Sequence, residues 1–378
     1  IASYRHAIEL GQTERDFIPN DLFSLNYSPS LSDEQLNAEH RRLCAQFFDG
    51  LRDPSPFTNS PEPERRLRIG YVSPDFWMHP VARFLLPVLE HHNRDRFELI
   101  AYSSRVLTDG FTEEIAQRID VWREVAGLTD DALAQQIRAD GIDILIDLTM
   151  HARDCRPGLF ARKPAPVQIS YLAYVGTTGL AAMDYRLTDV VLDPPDGPPV
   201  RALWARLVAS LPDARLLLHS KHSYGREALL QELAEHGLPR ERVTLIGYQD
   251  GPDYMATYGQ IDIALDPSPF AGGTTSFDAL WMGVPVITQP GERSASRGGA
   301  SILTSLGRSE WIAHSDDDFI RRAHALAADP TALATIRAGL RDELRRSPLM
   351  DGAGFTQEYE ALLRQAWRDW CARAAAAG

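Results

Sequence analysis

Hydrophobic and polar positions along the chain change period several times. Over 1–10, Ile1, Tyr4 and Ile8, with Ala7, fall on one helical face, as in the last helix of a helical repeat. Ser32 followed by Gln35 is a capping-box signature for a helix reaching Phe48, and the Pro-rich stretch 54–63 reads as a linker. A domain boundary falls near Glu64. Beyond it the period shortens: apolar, branched runs at 67–72, 97–103 and 142–147 predict strands, separated by amphipathic segments such as 81–91 and 129–139. That alternation predicts a doubly wound α/β domain. Pro194 to Pro199 mark the next junction, followed by a helix around 200–210 and strands at 215–219 and 243–247. From 354 to 376 the helical period returns, in a long helix suited to packing back across both domains. The predicted divisions are 1–63, 64–196, 197–350 and 351–378.

The 23 residues opening with Asp266-Pro-Ser-Pro-Phe-Ala-Gly-Gly-Thr-Thr carry the most chemistry. A short apolar run from Ile261 to Asp266 predicts a buried strand, Gly272 and Gly273 allow a tight turn, and Thr274 and Thr275 open a helix. Unpaired N–H groups there carry roughly half a positive charge, so an anion fits, with two hydroxyls beside it. Asp278, one turn further in, is placed to accept from ribose hydroxyls. A plain capped strand-to-helix joint accounts for Gly-Gly-Thr-Thr equally well.

Composition narrows the class. The 378 residues suffice for two domains, and a net charge of −13 argues against a surface that tracks nucleic acid. Three cysteines, Cys44, Cys155 and Cys371, lack metal-ligand spacing and predict a reducing, cytoplasmic compartment. No apolar run approaches the roughly 18 residues of a membrane span. Asp143 and Asp147, four apart, read better as a strand end than as metal ligands, and no Asp-x-Asp pair precedes the phosphate unit. Metal-independent chemistry is therefore expected.

In the first α/β block His79 follows a strand by a short loop, with Pro80 behind it at a favoured first helical position. Three roles stay open for it: general base, contact to an acceptor hydroxyl, or a helix N-cap. His151 occupies the equivalent edge after the strand at 142–147. Gly176 and Thr177, in Gly-Thr-Thr-Gly, line either an inter-domain cleft or a tight turn. Arg162 and Lys163 could meet a phosphate, although the following prolines fit a rigid surface loop as well.

Taken in order, these motifs resemble the catalytic region of the O-GlcNAc transferase family of protein glycosyltransferases, over nearly the whole chain from Asp21 to about Tyr359. The resemblance rests on the stretch from Leu22 to Pro29, Arg68 to Phe76 with His79-Pro80, and Phe160 to Gln168. It continues through Gly176 to Gly179, Met183-Asp-Tyr185, Gly272 to Pro285 and Gly291 to Arg297. It implies a GT-B architecture, two Rossmann-like domains facing a cleft, preceded by tetratricopeptide helices. It also implies UDP-N-acetylglucosamine as donor, serine or threonine hydroxyls of proteins as acceptors, and no metal cofactor. The diphosphate would lie on Thr274 and Thr275, the ribose on Asp278, the uracil against the backbone near Tyr248 and Gln249, and His79 in the acceptor region.

The chain departs from that pattern in places. Members carry several dozen residues, including a nucleotide-domain strand and a diphosphate-binding lysine, where this sequence runs from Asp193-Pro-Pro195 almost straight to Val200. A Rossmann-type domain without that strand would expose an unpaired sheet edge. Gly251 and Tyr254 stand where well-known members have a lysine and a histidine, Gly273 replaces a histidine of some members, and Met150 replaces a glycine. Rival readings are a protein N-glucosyltransferase, a non-catalytic interaction protein that keeps the fold, and, more weakly, a sugar-nucleotide epimerase.

Overall fold

A computed structural model describes residue 6 and residues 17–27, 31–106, 108–174, 176–189, 201–219, 226–268, 270–291 and 293–377. The helix read over 1–10 and the shortened junction at 190–200 lie outside these. The chain divides into two compact α/β units, Ile1–Thr188 with Asp351–Gly378, and Asp189–Met350. No helix among the described residues is long and apolar enough to cross a membrane.

The first unit is built on six parallel strands: β1 (Leu67–Ser73), β2 (Phe97–Ser103), β3 (Val121–Glu124), β4 (Ile144–Asp147), β5 (Val167–Ser170) and β6 (Tyr185–Arg186). Their order is β3-β2-β1-β4-β5-β6, with β1 central. Alternation along each strand sorts side chains to two faces. Leu67, Ile69, Tyr71, Phe97, Leu99 and Ala101 join Val81 and Leu85 of the helix Pro80–His91 in one core. The helix Gly352–Ala377 closes that core with Tyr359, Leu363 and the fully buried Trp367. Val72, Ile100 and Tyr102 face the other way, onto Leu133 and Ile137 and onto Ile18, Leu22, Leu36 and Leu43 from Phe17–Leu25 and Asp33–Phe47. The N-terminal helices thus belong to the core of this unit. Ser32 caps the second of them with the expected reciprocal bonds to Gln35.

The sequence pattern located β1, β2 and β4 to within two residues and passed over β3, β5 and β6. Short strands flanked by proline or charge, such as Val167–Ser170 after Pro164 and Pro166, carry too few residues to show a period.

The second unit contains two separate parallel pairs, β7 (Leu216–His219) with β8 (Val243–Ile246), and β9 (Ala264–Leu265) with β10 (Val286–Ile287). Helices Arg201–Ser210, Thr274–Trp281, Gly298–Leu306, Asp316–Ala327 and Pro330–Arg346 pack around them. The run read as a buried strand over 261–266 forms only the short β9, and Ile263, Ala264 and Leu265 are half-buried.

Candidate functional site

In the first unit two loops leave the carboxyl ends of neighbouring strands, β1 and β4, where open α/β sheets place ligands. The loop after β1 is tied down by polar bonds: Asp75 N–H donates to Ser73 Oγ at 2.9 Å, Met78 N–H to Asp109 at 2.7 Å, and Thr112 Oγ1 to the Phe76 carbonyl at 2.7 Å. His79 is the N-cap of the helix Pro80–His91, and its Nδ1 accepts from Val81 N–H at a long 3.4 Å. The same nitrogen lies 3.6 Å from Asp75 Oδ2, and Trp77 stacks on the ring at 6.0 Å. Burial lowers the His79 pKa, against the pull of Asp75, so the ring is neutral at pH 7. Burial raises Asp75, against the pull of His79. The capping bond is present, and Nδ1 can serve either Val81 as an acceptor or Asp75 as a donor, one at a time.

His151 is fully buried, with Nε2 2.6 Å from the Thr178 carbonyl. A carbonyl only accepts, so Nε2 carries the proton and donates, and Nδ1 presents a lone pair with no partner. Burial, reinforced by His40, pushes the His151 pKa down to about 3. The turn before it places Met150 at φ 50°, a left-handed conformation that favours glycine. Asp147 Oδ1 holds that turn by accepting from Thr149 and Met150 N–H, both at 2.9 Å.

Gly176 joins His151 in one cluster, while Thr177 Oγ1 accepts from Gly179 N–H at 3.1 Å. Tyr174 sets its ring edge against His151 at 5.3 Å, and a Cβ on Gly176 would come within 3.1 Å of Tyr174. His40 Nδ1–H donates to the Leu36 carbonyl at 2.8 Å, which leaves His40 Nε2 to accept from Tyr174 O–H at 2.6 Å. Asn26 donates in turn to Tyr174 Oη at 2.7 Å. Gly179 has φ 73°, and a Cβ there would strike the His40 backbone at 2.6 Å. Asn26, His40 and Tyr174 were not singled out from the sequence. The signal was there for His40, which shares a helical stripe with Leu36 and Leu43.

Arg162 and Lys163 are engaged within the unit. Arg162 pairs with Asp131 at 2.5 Å, and the buried Lys163 donates to the Ala182 carbonyl at 2.9 Å and pairs with Asp184. Asp143 is likewise structural: it is fully buried, accepting from Asn59 at 2.7 Å and receiving both arms of Arg65.

In the second unit the helix Thr274–Trp281 begins where expected, with Gly273 as an N-cap that supplies no side-chain bond. Gly273 and Thr275 are exposed, and Thr274 is half-buried. Asp278 is buried one turn in, and its Oδ2 accepts from Tyr254 O–H at 3.3 Å. Tyr258 O–H lies 2.7 Å from Tyr254 Oη, completing a relay toward Asp278, and is 3.3 Å from the Thr275 carbonyl. Gln249 Oε1 accepts from Thr257 Oγ1 at 2.9 Å, while Tyr248 is 76% exposed. Gln249, Thr275 and Asp278 are therefore linked through the helix Gly251–Thr257 and the Tyr258 that follows it.

The organising residue of this loop is Asp266, whose role the sequence reading missed. Its Oδ1 accepts from Gly272 N–H at 2.7 Å and Ser276 Oγ at 3.3 Å, and its Oδ2 from Thr288 Oγ1 at 2.7 Å. Burial raises its pKa to about 6 against these donors. Gly299, in the first turn of Gly298–Leu306, must lack a side chain, since a Cβ would lie 2.2 Å from Asp266 Oδ2. An acid ending an apolar strand run was the available signal. Ala271 N–H donates to the Ala295 carbonyl at 2.6 Å, drawing the stretch that holds Arg293 and Arg297 beside the glycine turn.

The chain is 32% identical over 423 aligned positions to a probable UDP-N-acetylglucosamine–peptide N-acetylglucosaminyltransferase SPINDLY of Petunia hybrida, covering 96% of this chain and 45% of that protein. The SPINDLY protein of Arabidopsis thaliana is 31% identical over 410 positions, covering 93% and 45%. The chain thus spans about half the length of these relatives. A solved mutant of the Thermobaculum terrenum O-GlcNAc transferase superposes with a TM-score of 0.92 at 34% identity, covering 99% of this chain and 81% of that one. The family description "Glycosyl transferase family 41" matches residues 24–197 and 196–359, two stretches that meet where the sequence reading found the shortened junction. With both halves matched and the fold shared along its length, the chain belongs to glycosyl transferase family 41.

Proposed function

We propose that this chain is the catalytic portion of a protein glycosyltransferase that moves N-acetylglucosamine from UDP-N-acetylglucosamine to serine or threonine hydroxyls without a divalent metal. The observation that carries the reading is the open helix entry at Gly273–Thr275 with Asp278 one turn inside, in a member of family 41. In this reading the N–H groups of that helix and the hydroxyls of Thr274 and Thr275 meet the diphosphate, doing the work of a metal against the charge that develops as UDP leaves. Asp278 accepts from ribose, and the uracil rests near Tyr248 and Gln249. The sugar C1–O bond to UDP breaks as a bond from C1 to the acceptor oxygen forms, and the hydroxyl proton passes to a base. His79 is that base or its positioning partner: Val81 and Asp75 both address Nδ1, which leaves Nε2 for the acceptor. His151, Gly176 and Thr177 stand on the acceptor side. A net charge of −13 and three free cysteines support cytoplasmic action on proteins, with no nucleic-acid or membrane partner.

A second reading, a weakly catalytic or non-catalytic member, is favoured by the interruption of the family match at 196–197. Intact-mass analysis of serine- and threonine-containing peptides after incubation with UDP-N-acetylglucosamine or UDP-glucose separates these. Addition of N-acetylhexosamine supports the first reading, and hexose addition alone moves the assignment to glucosyl transfer. UDP binding without transfer from either donor selects the second.

A further inference from the structure

His79 Nδ1 has two partners within reach, and the one it serves decides whether the ring can take a proton. With Val81 N–H donating to Nδ1, the ring proton sits on Nε2, which then has no lone pair for an acceptor hydroxyl. With Nδ1–H donating to Asp75, Nε2 keeps its lone pair and is basic. The two contacts are long, 3.4 Å and 3.6 Å, so neither by itself fixes the tautomer.

Trp77 is the side chain placed to tip that balance. Phe76 is buried against Trp122 at 5.5 Å between ring centres, and its carbonyl accepts from Thr112 Oγ1, while Met78 N–H donates to Asp109. Both neighbours of Trp77 are therefore pinned to residues outside the loop, and its half-buried indole starts from a fixed backbone. The indole stacks on His79 with ring centres 6.0 Å apart and planes 24° apart, and its Nε1 lies 3.5 Å from Asp75 Oδ1. One carboxylate thus faces two donors on different oxygens, Trp77 Nε1–H at Oδ1 and His79 Nδ1–H at Oδ2. An indole N–H only donates, so it holds Asp75 as an acceptor without competing for that role.

The charges around the pair act in the same direction. In the loop after β2, the Arg105 guanidinium lies 4.8 Å from the centre of the Trp77 indole, and the Arg105 carbonyl accepts from Ser103 Oγ at 3.0 Å. Arg105 favours the carboxylate form of Asp75 and the neutral form of His79 at once, the state in which a general base begins. From the loop after β4, Asp154 reaches Asp75 alone and opposes its charge.

We propose, on the reading of His79 as the base of the transfer, that Trp77 is its positioning residue: by stacking on the imidazole and holding the Asp75 carboxylate, it selects the tautomer with the proton on Nδ1. Arg105, over the same indole, keeps that pair charged and neutral respectively. Nε2 then takes the acceptor hydroxyl proton as the hydroxyl oxygen bonds to the sugar C1, UDP leaves with the electron pair of the broken C1–O bond, and Asp75 stabilises the imidazolium.

The test uses the whole chain with 15N-labelled histidine. Long-range proton–nitrogen spectra near neutral pH report which ring nitrogen carries the proton, and His79→Gln assigns the signals. In the unmodified chain the proton is expected on Nδ1. Trp77→Phe keeps a ring and loses the donor: the proton moves toward Nε2, and kcat falls about tenfold while KM for donor and peptide stays within about twofold. Arg105→Met raises the His79 titration midpoint and Arg105→Lys restores it; an unmoved midpoint overturns the part given to Arg105. A proton on Nε2 in the unmodified chain, or an unchanged tautomer in folded Trp77→Phe, overturns the proposal. Should Trp77→Phe fail to fold, the unmodified chain decides: the Trp77 Nε1–H shift follows the His79 titration when both address Asp75, and a shift flat across it overturns the proposal. The spectra need no sugar transfer, so a chain that transfers nothing fails the functional reading while the tautomer result still stands or falls separately.

Discussion

His79 Nδ1 stands 3.6 Å from Asp75 Oδ2 and 3.4 Å from Val81 N–H, so a single nitrogen is contested by a carboxylate and a helix donor. A role in transfer and a role in capping predict different outcomes. We expect His79→Ala to lower transfer about 10²-fold or more while UDP affinity stays within a few-fold. His79→Gln keeps a hydrogen-bonding group that does not titrate, and stays equally slow if the proton moves. Initial rates, calorimetry and melting on both variants check this. Normal transfer by the alanine variant, with stability down by about 0.5–2 kcal/mol, leaves capping alone.

Asp278 already accepts from Tyr254, and ribose would share its oxygens. Asp278→Asn should weaken UDP binding about 10- to 150-fold, the loss of one charge-assisted bond of about 1.5–3 kcal/mol. Tyr254→Phe, which releases the carboxylate from its resting donor, should leave affinity unchanged or higher. Isothermal titration of UDP into both variants decides, and an unaltered affinity in the asparagine variant removes Asp278 from the site.

Gly273 is exposed, and a Cβ there meets nothing within 4 Å, at φ −108°, which any residue adopts. Gly273→His should therefore fold as well as the parent. A protonated imidazole at the helix entry should tighten UDP about tenfold at pH 6 and less at pH 8. Equal gain at both pH values would show that charge is not the cause.

Transfer should proceed in excess chelator at close to its untreated rate, because hydroxyls and helix N–H groups face the diphosphate in the proposed site. Turnover that vanishes with EDTA and returns with magnesium or manganese would reject the metal-free mechanism.

Acid should unfold the first unit through His151. Its folded pKa, about 3, lies below the unfolded 6.5, so the folded state binds fewer protons between those limits. Stability is full above pH 6.5 and falls as pH drops toward 3, by about 2 kcal/mol at pH 5. Burial lowers His40 in the same direction. Urea unfolding at pH 7.5 and 5 measures the slope, which His151→Gln should flatten.

The sequence by itself determined the elements that are long and locally self-consistent. The periods of β1, β2 and Gly352–Ala377, the Ser32–Gln35 capping box, Pro80 behind His79, and Thr274 opening its helix are all written in residues that are neighbours along the chain. Local spacing was enough because propensity and capping act within a turn or two. Tertiary structure alone decided how distant polar groups are satisfied. His40 and Tyr174 are 134 residues apart, and Asp266 and Thr288 are 22 apart, yet each pair shares a buried hydrogen bond. No period announces such pairs; burial imposes them, since a polar group withdrawn from water must find a partner wherever the fold brings one.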